Sequence, residues 1–146
     1  MTAADSPTEH LRLVQDVSRL LLAVADRLQD DFAACAARLG LTGAQTKVLM
    51  ALEPGEAVPM RKLAERLRYD PSNLTTLIDR LQDRAAVIRR PDQVDRRVKA
   101  LMLTAEGERL RVDFMRSLTA AAGPLGHLDE GQLEILRKGL HAALSR

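Results

Sequence analysis

The chain has 146 residues, 46% of them hydrophobic and 29% charged, with a formal net charge of +2. That length can bury a core without disulfides or structural metal, and a lone cysteine excludes an internal disulfide. No apolar run approaches the roughly 20 residues of a membrane span, and the polar start MTAADSPTEH lacks the segments of a secretory signal, so the expected location is cytoplasmic with no membrane partner.

Aromatic residues are scarce, at 2%, which leaves a core of Leu, Val and Ala and favours helices over a β-sandwich. In chain order, Ser6-Pro7-Thr8-Glu9 has the form of a capping box, with Ser6 as N-cap and Pro7 at N1. No Gly or Pro follows until Gly40, so a first helix of about thirty residues is expected. On that helix Leu11, Val14, Leu21, Ala25, Leu28, Phe32, Cys35 and Leu39 form one apolar stripe. Leu13, Val17, Leu20 and Val24 form a second stripe in its N-terminal half. A helix with two apolar surfaces touches its own core and something else. With Leu133, Leu136, Leu140 and Leu144 at matching spacing near the C-terminus, an oligomer interface is expected, most simply a two-fold homodimer.

A second capping box, Thr42 to Gln45, starts a shorter helix that stops before Pro54-Gly55. A third helix is expected from about Pro59 to Arg68. A fourth is capped by Asp70, has Pro71 at N1, and runs to about Ala85. VIRR and VKALML then read as two short strands joined by the charged turn PDQVDRR, residues 91–97. Thr104 caps a long helix to about Ala121, and Asp129 to Gln132 starts the last one.

Charge is unevenly spread. Residues 58–99 hold eleven Lys or Arg against six acids, a net +5, and the rest of the chain carries −3. A basic middle between acidic flanks points to a polyanion partner for the middle alone. Residues 59–85 read as a helix-turn-helix whose second helix buries Leu74, Leu77, Ile78 and Leu81 and shows Ser72, Asn73, Thr75, Thr76, Asp79 and Arg80. Small hydroxyls and an amide at a helix start can contact phosphates and base edges, and Arg80 can reach a guanine edge or a phosphate. A hairpin with a basic tip after such a helix is a winged-helix arrangement, whose tip can place an Arg in a narrow minor groove. Asp95 is expected to hold Arg96 or Arg97 extended through a bidentate pair.

The ordered set LTGAQTKVLMAL (41–52), KLAERLRYDPSNLTTLIDRLQDR (62–84) and VIRRPDQVDRRVKALMLTAEG (87–107) resembles the MarR family of bacterial transcription regulators. The resemblance covers roughly half the chain. It implies a mainly α fold with a small β-hairpin (α+β): a winged helix-turn-helix with long N- and C-terminal dimerisation helices. Residues 1–146 would form one domain, with dimerisation helices at 6–39 and 104–146 and a DNA-binding winged region at 42–103. It further implies a homodimer that binds double-stranded DNA at a pseudo-palindromic operator and acts as a repressor. Carried over position by position, recognition contacts would come from Ser72, Asn73, Thr75, Thr76 and Arg80, and the wing contact from Arg96 or Arg97 oriented by Asp95. Charge alone adds Arg61, Lys62, Arg89 and Arg90 as backbone contacts. The family also implies release by a small-molecule effector in a cleft, although this chain has few aromatics to line one.

One position departs from the pattern. The family has Gly after the recognition helix, where this chain has Ala85-Ala86. Either Ala85 takes up the left-handed conformation, or the helix ends differently and the wing leaves at another angle. Cys35, flanked by Phe32 and Leu39 on the apolar stripe, reads as a buried structural cysteine rather than a redox switch. His10, His127 and His141 are far apart, and no Cys/His/carboxylate cluster has metal spacing, so neither metal nor cofactor is expected. An enzyme lacks its materials here: there is no activated nucleophile, no Gly-rich phosphate loop and no paired acids. A winged-helix adaptor for protein contacts is the alternative, and it would need an apolar patch where these surfaces are polar and basic.

Overall fold

The computed structural model describes residues 5–92 and 95–145. The elements run α1 (Asp5–Arg38), α2 (Gly43–Met50), β1 (Val58–Pro59), α3 (Met60–Leu67), α4 (Pro71–Asp83), β2 (Val87–Pro91), β3 (Lys99–Leu103), α5 (Ala105–Ala121), a 3-10 turn (Gly123–Leu125) and α6 (Glu130–Leu144). The chain divides into two compact units, residues 32–118 and residues 1–31 with 119–146. Among the described residues, no helix is long and apolar enough to cross a membrane.

The unit of residues 32–118 holds the aliphatic core. Leu49, Leu52, Leu63, Leu74, Ile78, Leu81 and Leu101 are each under 2% exposed, and Phe114 closes the cluster. Each such side chain contributes roughly 1.5–3 kcal/mol by leaving water. Phe32 meets Phe114 edge-on, with ring centroids 4.7 Å apart at 67°. Cys35 is 1% exposed within this core, as expected of a structural cysteine.

The sheet has the order β1-β3-β2, antiparallel throughout. Strands β2 and β3 pair from Val87↔Leu103 to Pro91↔Lys99, which is the expected hairpin. Strand β1 is not among the expected elements. It is two residues long, contains a proline, and pairs Val58 with Leu101 and Pro59 with Ala100. So short a strand carries no alternation to read, and Pro is tolerated because it lies at the sheet edge.

Helix starts largely follow their capping signals. Thr42 and Gln45 form the expected reciprocal box, as do Asp129 and Gln132. Two differ. Helix α1 is already under way at Asp5, so Ser6 lies inside it rather than at its cap. Asp70 occupies the N-cap of α4 with extended backbone, but its carboxylate makes no capping bond.

In the second unit, α6 has no buried residue, and the N-terminal part of α1 leaves apolar side chains in water. Leu13 is 61% exposed, Leu20 56% and Ile135 74%. Val17, Leu20, Leu21, Leu28, Leu136 and Leu140 line an apolar groove of about 520 Å³ within this unit. In the N-terminal half of α1 both stripes read from the sequence stand open: Leu11, Val14 and Leu21 of the first and Leu13, Val17 and Leu20 of the second are all exposed.

Candidate nucleic-acid interface

Helix α4 supplies the central face. Leu74, Ile78 and Leu81 are fully buried and Leu77 nearly so, while Ser72, Asn73, Thr75, Thr76, Asp79 and Arg80 are all exposed. The apolar residues recur at helical spacing, so burying them fixes which residues face outward. Two hydroxyls on that face are engaged by their own helix. Thr75 donates to the carbonyl of Pro71 at 2.8 Å and Thr76 to that of Ser72 at 3.3 Å. Such back-bonds use the hydroxyl donor and leave the acceptor lone pairs and the methyl group free.

Strand β2 is fastened to this helix by an ion pair that no local spacing announces. The Arg89 guanidinium meets the Asp79 carboxylate at 2.6 Å, with the Arg89 side chain 26% exposed. Arg89, expected to face a phosphate, is thus also the bond between wing strand and helix. Arg61 pairs with Glu65 at 3.1 Å on the open surface of α3, while Lys62 and Arg90 are simply exposed. Between α3, the start of α4 and the sheet lies a groove of about 990 Å³, which also brings Arg68 and Lys99 to the same face. Sequence reasoning counts both in the basic middle segment but singles out neither as a contact, because local spacing does not show which face they share; only the fold places them beside Arg61 and Arg89. Tyr69, half-buried, lines the same groove.

The wing tip corrects one expectation. Gln93 and Val94 lie outside the described residues. Among those described, no ion pair joins Asp95 to Arg96 or Arg97. The Asp95 carboxylate instead accepts from the backbone N–H of Arg97 at 3.0 Å, and the Asp95 N–H donates to Asp92 at 3.1 Å. Asp92 N–H and Val98 carbonyl, 2.8 Å apart, close the turn. A carboxylate two residues before a backbone N–H favours this local turn over a side-chain pair. Asp95 therefore shapes the backbone from which Arg96 and Arg97 project, and both of these arginines stay exposed.

The joint between α4 and the wing resolves the departure at Ala85. Its φ is +54°, so Ala85 itself adopts the left-handed conformation. The bonds Ala85 N–H to Gln82 carbonyl (2.8 Å) and Ala86 N–H to Leu81 carbonyl (2.9 Å) form a Schellman closure. Helix α3 ends in the same way at Arg68, φ +54°, and α1 at Gly40, φ +65°. An L-residue there costs roughly 1–2 kcal/mol, which glycine avoids at some expense in unfolded-state entropy. Ala85→Gly is expected to raise unfolding free energy by about 0.5–1 kcal/mol in urea titration; no change, or a loss, would show that the left-handed strain is absent.

The resolved electrostatic shifts lie on α5 and α6. Glu106 is held below the ordinary carboxylate value first by its hydrogen bond from Arg109, with the charges of Arg109 and Arg84 adding to it against partial desolvation. Glu134 is lowered in the same way by Arg137. Among the described residues no group of three or more His, Cys, Asp or Glu side chains could hold a metal ion.

Comparison with known proteins places this geometry among relatives. A family model described as MarR family matches residues 39–98. The HTH-type transcriptional repressor MdtR of Bacillus subtilis is 32% identical over 97 residues, 66% of this chain, and the match spans only 63% of that relative's own length. Among solved structures, CouR from Rhodococcus jostii RHA1, bound to p-coumaroyl-CoA, is 30% identical with a TM-score of 0.73 over 90% of this chain and 93% of that one. Apo MarR from E. coli, 24% identical, shares the fold with a TM-score of 0.71 over 87% and 95% of the two chains.

Proposed function

This chain belongs to the MarR family of transcription regulators, with a DNA-binding winged helix and no enzymatic role, and from that premise we propose that it is a cytoplasmic repressor binding a pseudo-palindromic operator as a homodimer. The α4 helices of two copies enter successive major grooves about one helical turn apart. Residues 6–39 and 104–146 join the copies, and residues 42–103 hold the DNA. Ser72, Asn73, Thr75, Thr76 and Arg80 face base edges and nearby phosphates. Arg96 or Arg97 reaches the minor groove, while Arg61, Lys62, Arg89 and Arg90 contact the backbone.

The observation that carries this reading is the pairing of a wholly polar α4 face with a hairpin pinned to the same helix by Asp79–Arg89. Homodimerisation is supported by the apolar groove and the exposed leucines of α1 and α6. Release by a small-molecule effector is supported by the p-coumaroyl-CoA bound to CouR, a structural relative.

The test is operator binding by Arg96→Ala and Arg97→Ala, using a duplex selected by the full chain from a random pool. At least one variant should bind about tenfold more weakly, with little change on random duplex. Unchanged affinity in both would remove the minor-groove role. Binding to duplex that ignores salt altogether would point to a protein-contact adaptor instead.

A further inference from the structure

At the C-terminal end of α4, Arg84 turns away from the basic face described above. Its guanidinium donates to the carbonyl of Leu39 at 2.9 Å and to that of Gly40. Those carbonyls belong to the closure of α1, where the helix leaves its last acceptors unpaired and its dipole is negative. A planar guanidinium can satisfy two such oxygens at once, and an ammonium cannot hold both in one plane. A Cβ built on Gly40 would lie 3.4 Å from the same guanidinium, so the grip is close.

The next two residues are held from another element. Ala85 carbonyl accepts from the Thr104 hydroxyl, and Ala86 carbonyl from the Thr104 N–H at 3.1 Å. Thr104 in turn caps α5, accepting from Gly107 N–H at 3.1 Å. The end of the recognition helix is therefore bonded on one side to the end of α1 and on the other to the start of α5. These are the two helices that have residues in both compact units.

We propose that Arg84 is a positioning residue for operator recognition: by gripping the end of α1 it sets the direction in which α4 presents its polar face. The proposal rests on the DNA-binding reading above and adds a residue that touches no DNA. Base-edge contacts are sensitive to helix direction, whereas phosphate contacts on random duplex tolerate small rotations.

The experiment compares wild type, Arg84→Gln and Arg84→Lys on the selected duplex and on random duplex across a salt series, below every variant's melting transition. Arg84→Gln should lose about tenfold in affinity for the selected duplex while random-duplex affinity and salt slope stay as in wild type. Arg84→Lys, which keeps the charge but not the fork, should fall between the two and decides the matter if Arg84→Gln does not fold. Three results would overturn the proposal. One is a lower melting temperature with unchanged affinity, which marks a purely structural residue. Another is full retention by Arg84→Lys. The third is a salt slope reduced by about 0.9 in Arg84→Gln, which marks a direct phosphate contact. If wild type itself selects no duplex, the DNA reading falls and this inference falls with it.

Discussion

Gly107→Ala is expected to destabilise the winged unit by about 3 kcal/mol, read as a shift in the urea midpoint. A Cβ at this position would lie 2.0 Å from the Ala86 carbonyl oxygen, 3.1 Å from its carbon and 3.0 Å from the Leu103 side chain. Backbone atoms cannot rotate aside as a flexible side-chain end can. The first turn of α5 would have to withdraw from Ala85-Ala86, stretching the two bonds from Thr104 that join them. Gly43→Ala, where nothing lies within 4 Å of the new Cβ, is the control and should stay within about 0.5 kcal/mol of wild type. Equal effects at the two positions would show that close packing at Ala86 is not the reason for Gly107.

The second large effect concerns assembly. If the proposed homodimer forms through these helices, Leu20→Glu combined with Leu21→Glu is expected to give monomers in sedimentation, and to weaken binding to the full proposed operator by about a hundredfold or more. Both leucines line the apolar groove of their unit, and Leu20 is 56% exposed. An added carboxylate in such a groove must either stay hydrated, keeping the partner off, or be buried at a large cost. The winged unit is untouched, so affinity for an isolated half-site should be retained. A variant that remains dimeric would mean that these leucines are covered by some other means.

Elements built from local rules were legible in the sequence. The boxes at Thr42–Gln45 and Asp129–Gln132 and the buried face of α4 depend on residues within one or two turns of one another, and the β2–β3 hairpin joins two adjacent apolar runs across one charged turn. What could not be read depends on distance. Asp79 and Arg89 pair across ten positions, and Arg84 reaches back 44 residues to Gly40. Strand β1 exists only because β3 offers an edge to Val58. Charge counting places Arg84 with the other basic residues of the middle segment, since a formula charge cannot tell a cation facing solvent from one satisfying helix-end carbonyls. The Asp95 brace sits at the wing as expected, but acts on the Arg97 backbone rather than on a guanidinium. An aspartate's short side chain meets its own turn before it meets a long neighbour.

Tyr69 gives the molecule an optical property. The chain has no Trp and a single Tyr, so its ultraviolet emission beyond the weak phenylalanine contribution comes from one ring. That ring lies in the α3–α4 connection, one residue before the N-cap of α4, half-buried against the groove that also holds Arg89. The protein therefore carries an intrinsic fluorophore at the edge of its own proposed contact surface. Changes in its lifetime or quenching report on that turn alone, without a label.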